Sequence, residues 1–248
     1  MKIIGSKLYD HLTFRGGTAI AAIVLTWLIS PQMVRAAAGD LDPTFGTGGM
    51  VTTDINRSTD IAKAVAVQAD GKSVVVGTTY KHNDFSDEDF VVTRYNTDGT
   101  LDSTFGRGGK VRTDFPGLAA EPSSVVIQSD GKIVVAGGAF PLFTFAGNIK
   151  VVRYNSNGSL DTSFGAGGIV TTIFPQGSYA FDVALQTYGK IIVAGTVFVD
   201  LNIGDSSNTI CELARCNPDG TPDTTFGRAS LVSSDFFGRD VAAFMPSD

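Results

Sequence analysis

The sequence predicts an all-β protein: a row of four-stranded antiparallel sheets packed flank to flank. Three observations predict it. The motif Leu-Asp-x-Thr/Ser-Phe-Gly starts at Leu41, Leu101 and Leu160 and returns with Pro222 in place of Leu, at offsets of 60, 59 and 62 residues. Two companion motifs keep that period. Gln68-Ala-Asp-Gly-Lys72 recurs as Gln128-Ser-Asp-Gly-Lys132 and Gln186-Thr-Tyr-Gly-Lys190, and Arg94-Tyr-Asn96 recurs as Arg153-Tyr-Asn155 and Arg215-Cys-Asn217. Between the motifs lie short β-branched runs bounded by Asx and Gly turns. Self-similarity at a fixed period marks units that cannot hide an apolar face alone and must stack on a neighbour. Function is then expected in what the array displays rather than in one catalytic pocket.

The first 38 residues stand apart. Lys2, Lys7 and Arg15 precede an apolar run from Thr18 to Ile29, and Pro31 and Ala36-Ala37-Ala38 follow. That order of basic, apolar and small-residue segments predicts a secretory signal peptide over residues 1–38, with cleavage after Ala38 and Ala36 as the competing site. The run falls short of the about 20 apolar residues that span a bilayer, and an uncleaved anchor is the alternative reading. The expected location is secreted or extracytoplasmic, with no membrane partner after cleavage. Removing the leader leaves 15 bases against 24 acids and moves the formal net charge from −6 to −9. An acidic chain without a basic stripe is a poor partner for nucleic acid or anionic membranes. The two cysteines, Cys211 and Cys216, lie five residues apart in one expected strand, about 16 Å between Cα atoms at about 3.3 Å per residue. A disulfide needs about 7 Å or less, so two buried free thiols are expected.

Within the unit 61–114, Ala64 to Gln68 reads as strand a and Lys72 to Thr79 as strand b. Asp70-Gly71 between two β-branched runs is a hairpin signal, since Gly accepts positive φ. Strand b is apolar at consecutive positions here and in the units 121–173 and 179–236, which predicts burial on both faces. Phe90 to Asn96 reads as strand c, closed by the turn Thr97-Asp98-Gly99. Strand d runs from Lys110 to Phe115. Partial units occupy 39–55, with a leading d strand at Met50 to Ile55, and 239–248, with a trailing a strand. Four antiparallel strands per unit, each sheet covered by its neighbours, describe a β-propeller-like array of about three blades plus a leading and a trailing strand. A β-solenoid has shorter rungs and parallel pairing. Phe45, Phe105, Phe164 and Phe226 are expected between blades.

The pattern Leu-Asp-x-x-Phe-Gly-x-Gly-Gly-x-Val, then Gln-x-Asp-Gly-Lys-Ile-Val-Val-Ala-Gly, then Arg-Tyr-Asn-x-Asp-Gly resembles the bacterial delta-60 repeat, a family of secreted β-propellers. The resemblance covers residues 39–248. It implies propeller blades and an extracytoplasmic setting, and brings no activity and no catalytic residues. Aligned with Ile61 to Asp70, the last ten residues stop where a hairpin should turn. Three blades do not make a ring of four to eight. A shortened version of a longer repeat protein is therefore expected, with ring completion by association of protomers, through open blade edges, as the competing expectation.

Antiparallel alternation places the a–b and c–d turns on one side of the array and the b–c and d–a loops on the other. The first set hardly varies. The b–c loops, Tyr80 to Asp89, Ala139 to Asn148 and Val197 to Asn208, vary greatly and are the expected face for a protein or carbohydrate partner. Asp84, Asp87, Glu88 and Asp89 offer oxygen ligands that could suit Ca²⁺, but their spacing fits no calcium-loop template, and a solvated acidic loop is the plainer reading. Otherwise no cofactor is expected. Phe140, Leu142, Phe143 and Phe145 form an apolar patch if they project, or fold back over the core. Asp98, Asn157 and Asp219 read as Asx turns before metal ligands. Arg94, Arg153 and Arg215 share an apolar strand face, and Asp102, Asp161 and Asp223, eight residues on, are the expected bidentate partners in a structural staple. The mature chain has one histidine, His82, and no nucleophile elbow, so an enzyme is not expected. An interaction scaffold is the preferred function and an architectural spacer the alternative, with a propeller hydrolase or lyase behind both.

Overall fold

The computed structural model describes residues 39–55, 57, 59–81, 84–141, 147–172, 177–198, 209–227 and 231–234. The leader 1–38, the segment 239–248, and Leu142, Phe143 and Phe145 lie outside them. Three four-stranded sheets carry the fold. The first holds β1 (Asp60–Val67), β2 (Ser73–Lys81), β3 (Asp84–Tyr95) and β4 (Lys110–Thr113). The second holds β5 (Leu118–Ile127), β6 (Ile133–Pro141), β7 (Asn148–Tyr154) and β8 (Ile169–Thr172). The third holds β9 (Ser178–Leu185), β10 (Ile191–Phe198), β11 (Thr209–Cys216) and β12 (Leu231–Ser234). Each is an antiparallel meander in chain order.

The hairpin motif closes as its residues dictate. Gly71 and Gly131 take φ of 83° and 82°, and the Gln68 and Gln128 amides donate to the Lys72 and Lys132 carbonyls at 2.8 Å. In the third unit Tyr188 stands where Asp70 and Asp130 stand, and the turn becomes a short 3-10 segment, Thr187–Gly189, with Tyr188 itself at φ 66°.

Strand b is apolar at consecutive positions because it is covered twice. Ile133 and Val135 join a core with Val74, Val76, Phe90, Val92 and Phe105 of the first sheet. Val134 and Ala136 point the other way, into a core with Ala180, Val183, Ile191 and Val193 of the third. Each fully buried Val, Ile or Phe among them contributes about 1.5–3 kcal/mol. Strand a adds a shared irregularity: register shifts set Lys63, Ser123 and Phe181 as single extra residues at one level of β1, β5 and β9.

Several expectations change. Met50 to Ile55 forms no strand; Met50 makes one bridge, to Thr47, and no described strand lies beside the segment to pair with it. The Tyr80 to Asp89 loop is mostly strand, since β2 and β3 stay paired through Thr79↔Asp89 and Tyr80↔Glu88. Both cysteines are free, yet Cys211 is exposed and only Cys216 buried. Ile149, which Cys211 replaces, is buried against the third sheet, whereas among the described residues no further sheet follows β9–β12. Phe105 and Phe164 are fully buried, while Phe45 and Phe226, at the ends of the row, are half-buried.

Candidate functional site

At the b–c side the three extra residues of strand a re-aim their side chains, as bulges do. Lys63 reaches across from the first sheet to an ion pair with Glu121 of the second. Glu121 in turn accepts a hydrogen bond from the Tyr179 hydroxyl of the third sheet, and the Tyr179 phenol is pushed up to about 12, first by burial and then by this carboxylate. Tyr179 stacks on Phe140, with ring centroids 5.5 Å apart and planes at 20°, and meets Phe181 edge-on at 5.2 Å. Phe181, the extra residue of β9, is 59% exposed. Tyr80 and Glu88 lie beside the Lys63–Glu121 pair; burial raises the Glu88 carboxyl, and Glu121 adds to it. Ser123 donates to the Ala180 carbonyl at 2.7 Å and ties the second sheet to the third beneath this strip. The result is a continuous line of ion pair, phenol and aromatic faces across three sheets.

Of the acidic quartet, the two described side chains, Glu88 and Asp89, turn to different partners. Asp89 is fully buried, accepts from Arg112 Nε at 2.5 Å and from the Phe115 amide at 3.4 Å, and is raised by burial. Glu88 faces Tyr80. Asp84 pairs with Lys81 along the ladder, and the side chains of Asp84 and Asp87 lie outside the description. Among the described residues no group of three or more His, Cys, Asp or Glu could hold a metal ion. Of the apolar patch, Phe140 is placed against Tyr179 rather than projecting.

The opposite side carries the repeated motifs. Arg94 Nε donates to Asp102 Oδ2 at 2.8 Å, Arg153 Nε to Asp161 Oδ2 at 2.8 Å and Arg215 Nε to Asp223 Oδ2 at 2.7 Å. The pairs are not bidentate. Each aspartate turns its other oxygen to the hydroxyl and amide of Thr104, Ser163 or Thr225. Two guanidiniums reach onward instead: Arg94 Nη1 donates to the Ser156 carbonyl at 2.6 Å, and Arg153 Nη1 donates to that of Pro218. Each guanidinium lies over the following motif's ring, at 4.6, 4.4 and 4.3 Å from Phe105, Phe164 and Phe226. Lys72, Lys132 and Lys190 complete the set, each on the same Oδ2 as the arginine. Together they hold the three carboxyls well below the usual carboxylate range, through the lysine first at Asp102 and Asp223 and through Ser163 first at Asp161. Asp98, Asn157 and Asp219 are Asx turns, each accepting the amide and hydroxyl of the residue two on.

Sequence reasoning missed the lysine, although its invariance in Gln-x-x-Gly-Lys was the available signal. It also missed the Lys63–Glu121–Tyr179 strip, for which no sequence signal exists, because a one-residue bulge leaves no mark in composition.

Comparison with known proteins follows the same lines. Residues 68–105, 128–164 and 189–226 each match the family described as "Domain of unknown function (DUF5122) beta-propeller". The repeats are β-propeller repeats. Each match runs from the Gln-x-x-Gly-Lys turn region through the Arg–Asp pair to its phenylalanine. No curated protein matches. Among solved structures, a catalytically inactive virginiamycin B lyase from Staphylococcus aureus with quinupristin is similar at 10% identity and a TM-score of 0.27, over 76% of this chain and 74% of that one.

Proposed function

We propose that this β-propeller repeat domain, of the delta-60 type, is a secreted or surface-exposed interaction scaffold that binds a carbohydrate or protein ligand on its b–c face. The observation that carries the reading is the strip from Lys63 and Glu121 through Tyr179 to Phe140 and Phe181. It joins carboxylate, ammonium and phenol groups to flat apolar rings, the mixture that orients polyhydroxylated or peptide ligands. The export signal read from residues 1–38 and the formal charge of −9 without it agree with an extracytoplasmic, non-nucleic-acid role. Phe181 is the residue of choice for a test, because its exposure lets it be cut back without unfolding the sheet. Glycan-array and cell-matrix binding of the wild type and of Phe181→Ala decide the reading: ligand capture lost in the variant supports it. Capture by neither protein, or equally by both, favours the architectural spacer, for which the repeated Arg–Asp–Lys staple speaks.

A further inference from the structure

We propose that residues 42–55 and the flank of the first sheet behind them form a strand-acceptor site. Its occupant is an extended segment of pattern apolar-x-apolar-x-Arg-Tyr, the c-type strand of another repeat polypeptide.

The Gly46 amide donates to the Asp98 carbonyl at 2.8 Å, as Gly106 does to Asn157 and Gly165 to Asp219. The Tyr95 hydroxyl bonds Thr53 Oγ1 at 2.7 Å, as Tyr154 bonds Thr113 at 2.5 Å. Val51 lies beside Gly99 as Val111 lies beside Gly158 and Val170 beside Gly220. Residues 42–55 therefore stand to the first sheet as residues 102–115 stand to the second. They occupy the place that an outer strand takes in the other sheets, with no partner strand beside them among the described residues. In the second and third positions that outer strand is paired, β4 with β3 from Phe90↔Thr113 to Thr93↔Lys110 and β8 with β7 from Ile149↔Thr172 to Val152↔Ile169.

Where the missing strand would lie there is an open cleft of about 500 Å³, lined by Phe45, Val51, Val65, Val75, Val91 and Tyr95 among others. Val65 and Val67 are 62% and 66% exposed, whereas Val125, the counterpart of Val65, is 7% exposed against the first sheet. The face is built to be covered.

A second observation names the occupant's arginine. In each complete repeat an aspartate Oδ2 and a phenylalanine ring seat one guanidinium. Asp42 and Phe45 repeat that seat, with Asp42 Oδ1 taken by the Thr44 amide at 2.9 Å and hydroxyl at 2.7 Å. Among the described residues no arginine or lysine reaches its Oδ2. The carbonyl equivalent to those of Ser156 and Pro218, which receive the onward Nη1 bonds, is that of Thr97. A strand entering beside residues 51–54 with arginine after its two inward apolar residues fills groove, seat and acceptor together, by strand addition to an open edge.

The experiment uses the full chain and a labelled synthetic peptide of residues 147–155, Gly-Asn-Ile-Lys-Val-Val-Arg-Tyr-Asn, followed by fluorescence anisotropy and hydrogen exchange. Expected are saturable binding, slowed exchange of the 51–54 amides, and affinity reduced about tenfold or more, at least 1.4 kcal/mol, when the peptide carries Arg153→Ala or the protein carries Val65→Glu. Val67→Glu, at a second exposed position of the same flank, is expected to act as Val65→Glu does. No saturable binding to the wild type, affinity unchanged in both glutamate variants, or protection confined to another part of the chain overturns the proposal.

Discussion

Glu212 is 4% exposed on β11, and its Oε2 has no hydrogen-bond partner among the described groups. Burial pushes its carboxyl up to about 8. A folded-state value above the unfolded one means that ionisation is harder in the fold, so its contribution is intact below about pH 4.5 and fades as pH rises toward about 8. Glu212→Gln should remove that loss. Chemical denaturation of both proteins at pH 4 and pH 8.5 is expected to show the variant gaining on the wild type at the higher pH. Tyr188 presents the opposite kind of misfit, a 91% exposed side chain with nothing to pack on and a backbone at φ 66°. A bulky residue in the left-handed region costs about 1–2 kcal/mol, and asparagine tolerates it better. Tyr188→Asn should therefore raise stability by about 0.5–1 kcal/mol, read as a higher denaturation midpoint with an unchanged slope. Tyr188 shows in the sequence as the one departure from Gln-x-Asp-Gly-Lys, whereas Glu212 simply replaces Lys150 of the preceding unit, and only the packing around it reveals the cost.

At the scale of the element, the repeated unit was legible because its turns and pairs are local. Asp-Gly at a hairpin, an Asx turn two residues long and an Arg–Asp pair eight residues apart need no long-range information, and the structure places all three. The bulges at Lys63, Ser123 and Phe181 depend on how neighbouring sheets abut, which spacing along one chain does not encode. So the staple side of the candidate surface could be read and the b–c strip could not. The staple itself yields a prediction. Asp161 is 6% exposed and holds Arg153, Lys132 and Ser163 together. Asp161→Ala leaves the buried guanidinium without its carboxylate, a loss of about 3–5 kcal/mol, measurable by urea denaturation at pH 7. The sign with pH is also fixed. Asp102, Asp161 and Asp223 all lie below the ordinary carboxylate range in the fold, so their stabilisation is present above about pH 4. It falls away as the solution is acidified below that, and the wild type's advantage over Asp161→Ala should narrow accordingly.

Across the whole molecule, stability in such an array is a sum of unit terms and nearest-neighbour interfaces. The second sheet is the one with a described neighbour on both flanks, and its strand β6 is buried from Ile133 through Ala139. The outer flanks of the first and third sheets expose Val65, Val67 and Leu213. Local opening free energies should follow that gradient, because opening the middle sheet breaks two interfaces and opening an end sheet breaks one. Hydrogen exchange by mass spectrometry is expected to show amides of β6 and β7 as the slowest in the chain, with β2 and β10 faster although their hydrogen-bond ladders are as complete. A uniform rate across the three sheets would mean that the row unfolds as a single unit. Cutting back the interface phenylalanines tests the same gradient from the packing side. Phe105→Ala and Phe164→Ala, each emptying a fully buried site between sheets, should cost about 3–5 kcal/mol. Phe226→Ala, at the half-buried end position, should cost less than either, since its ring has a sheet on one side only among the described residues.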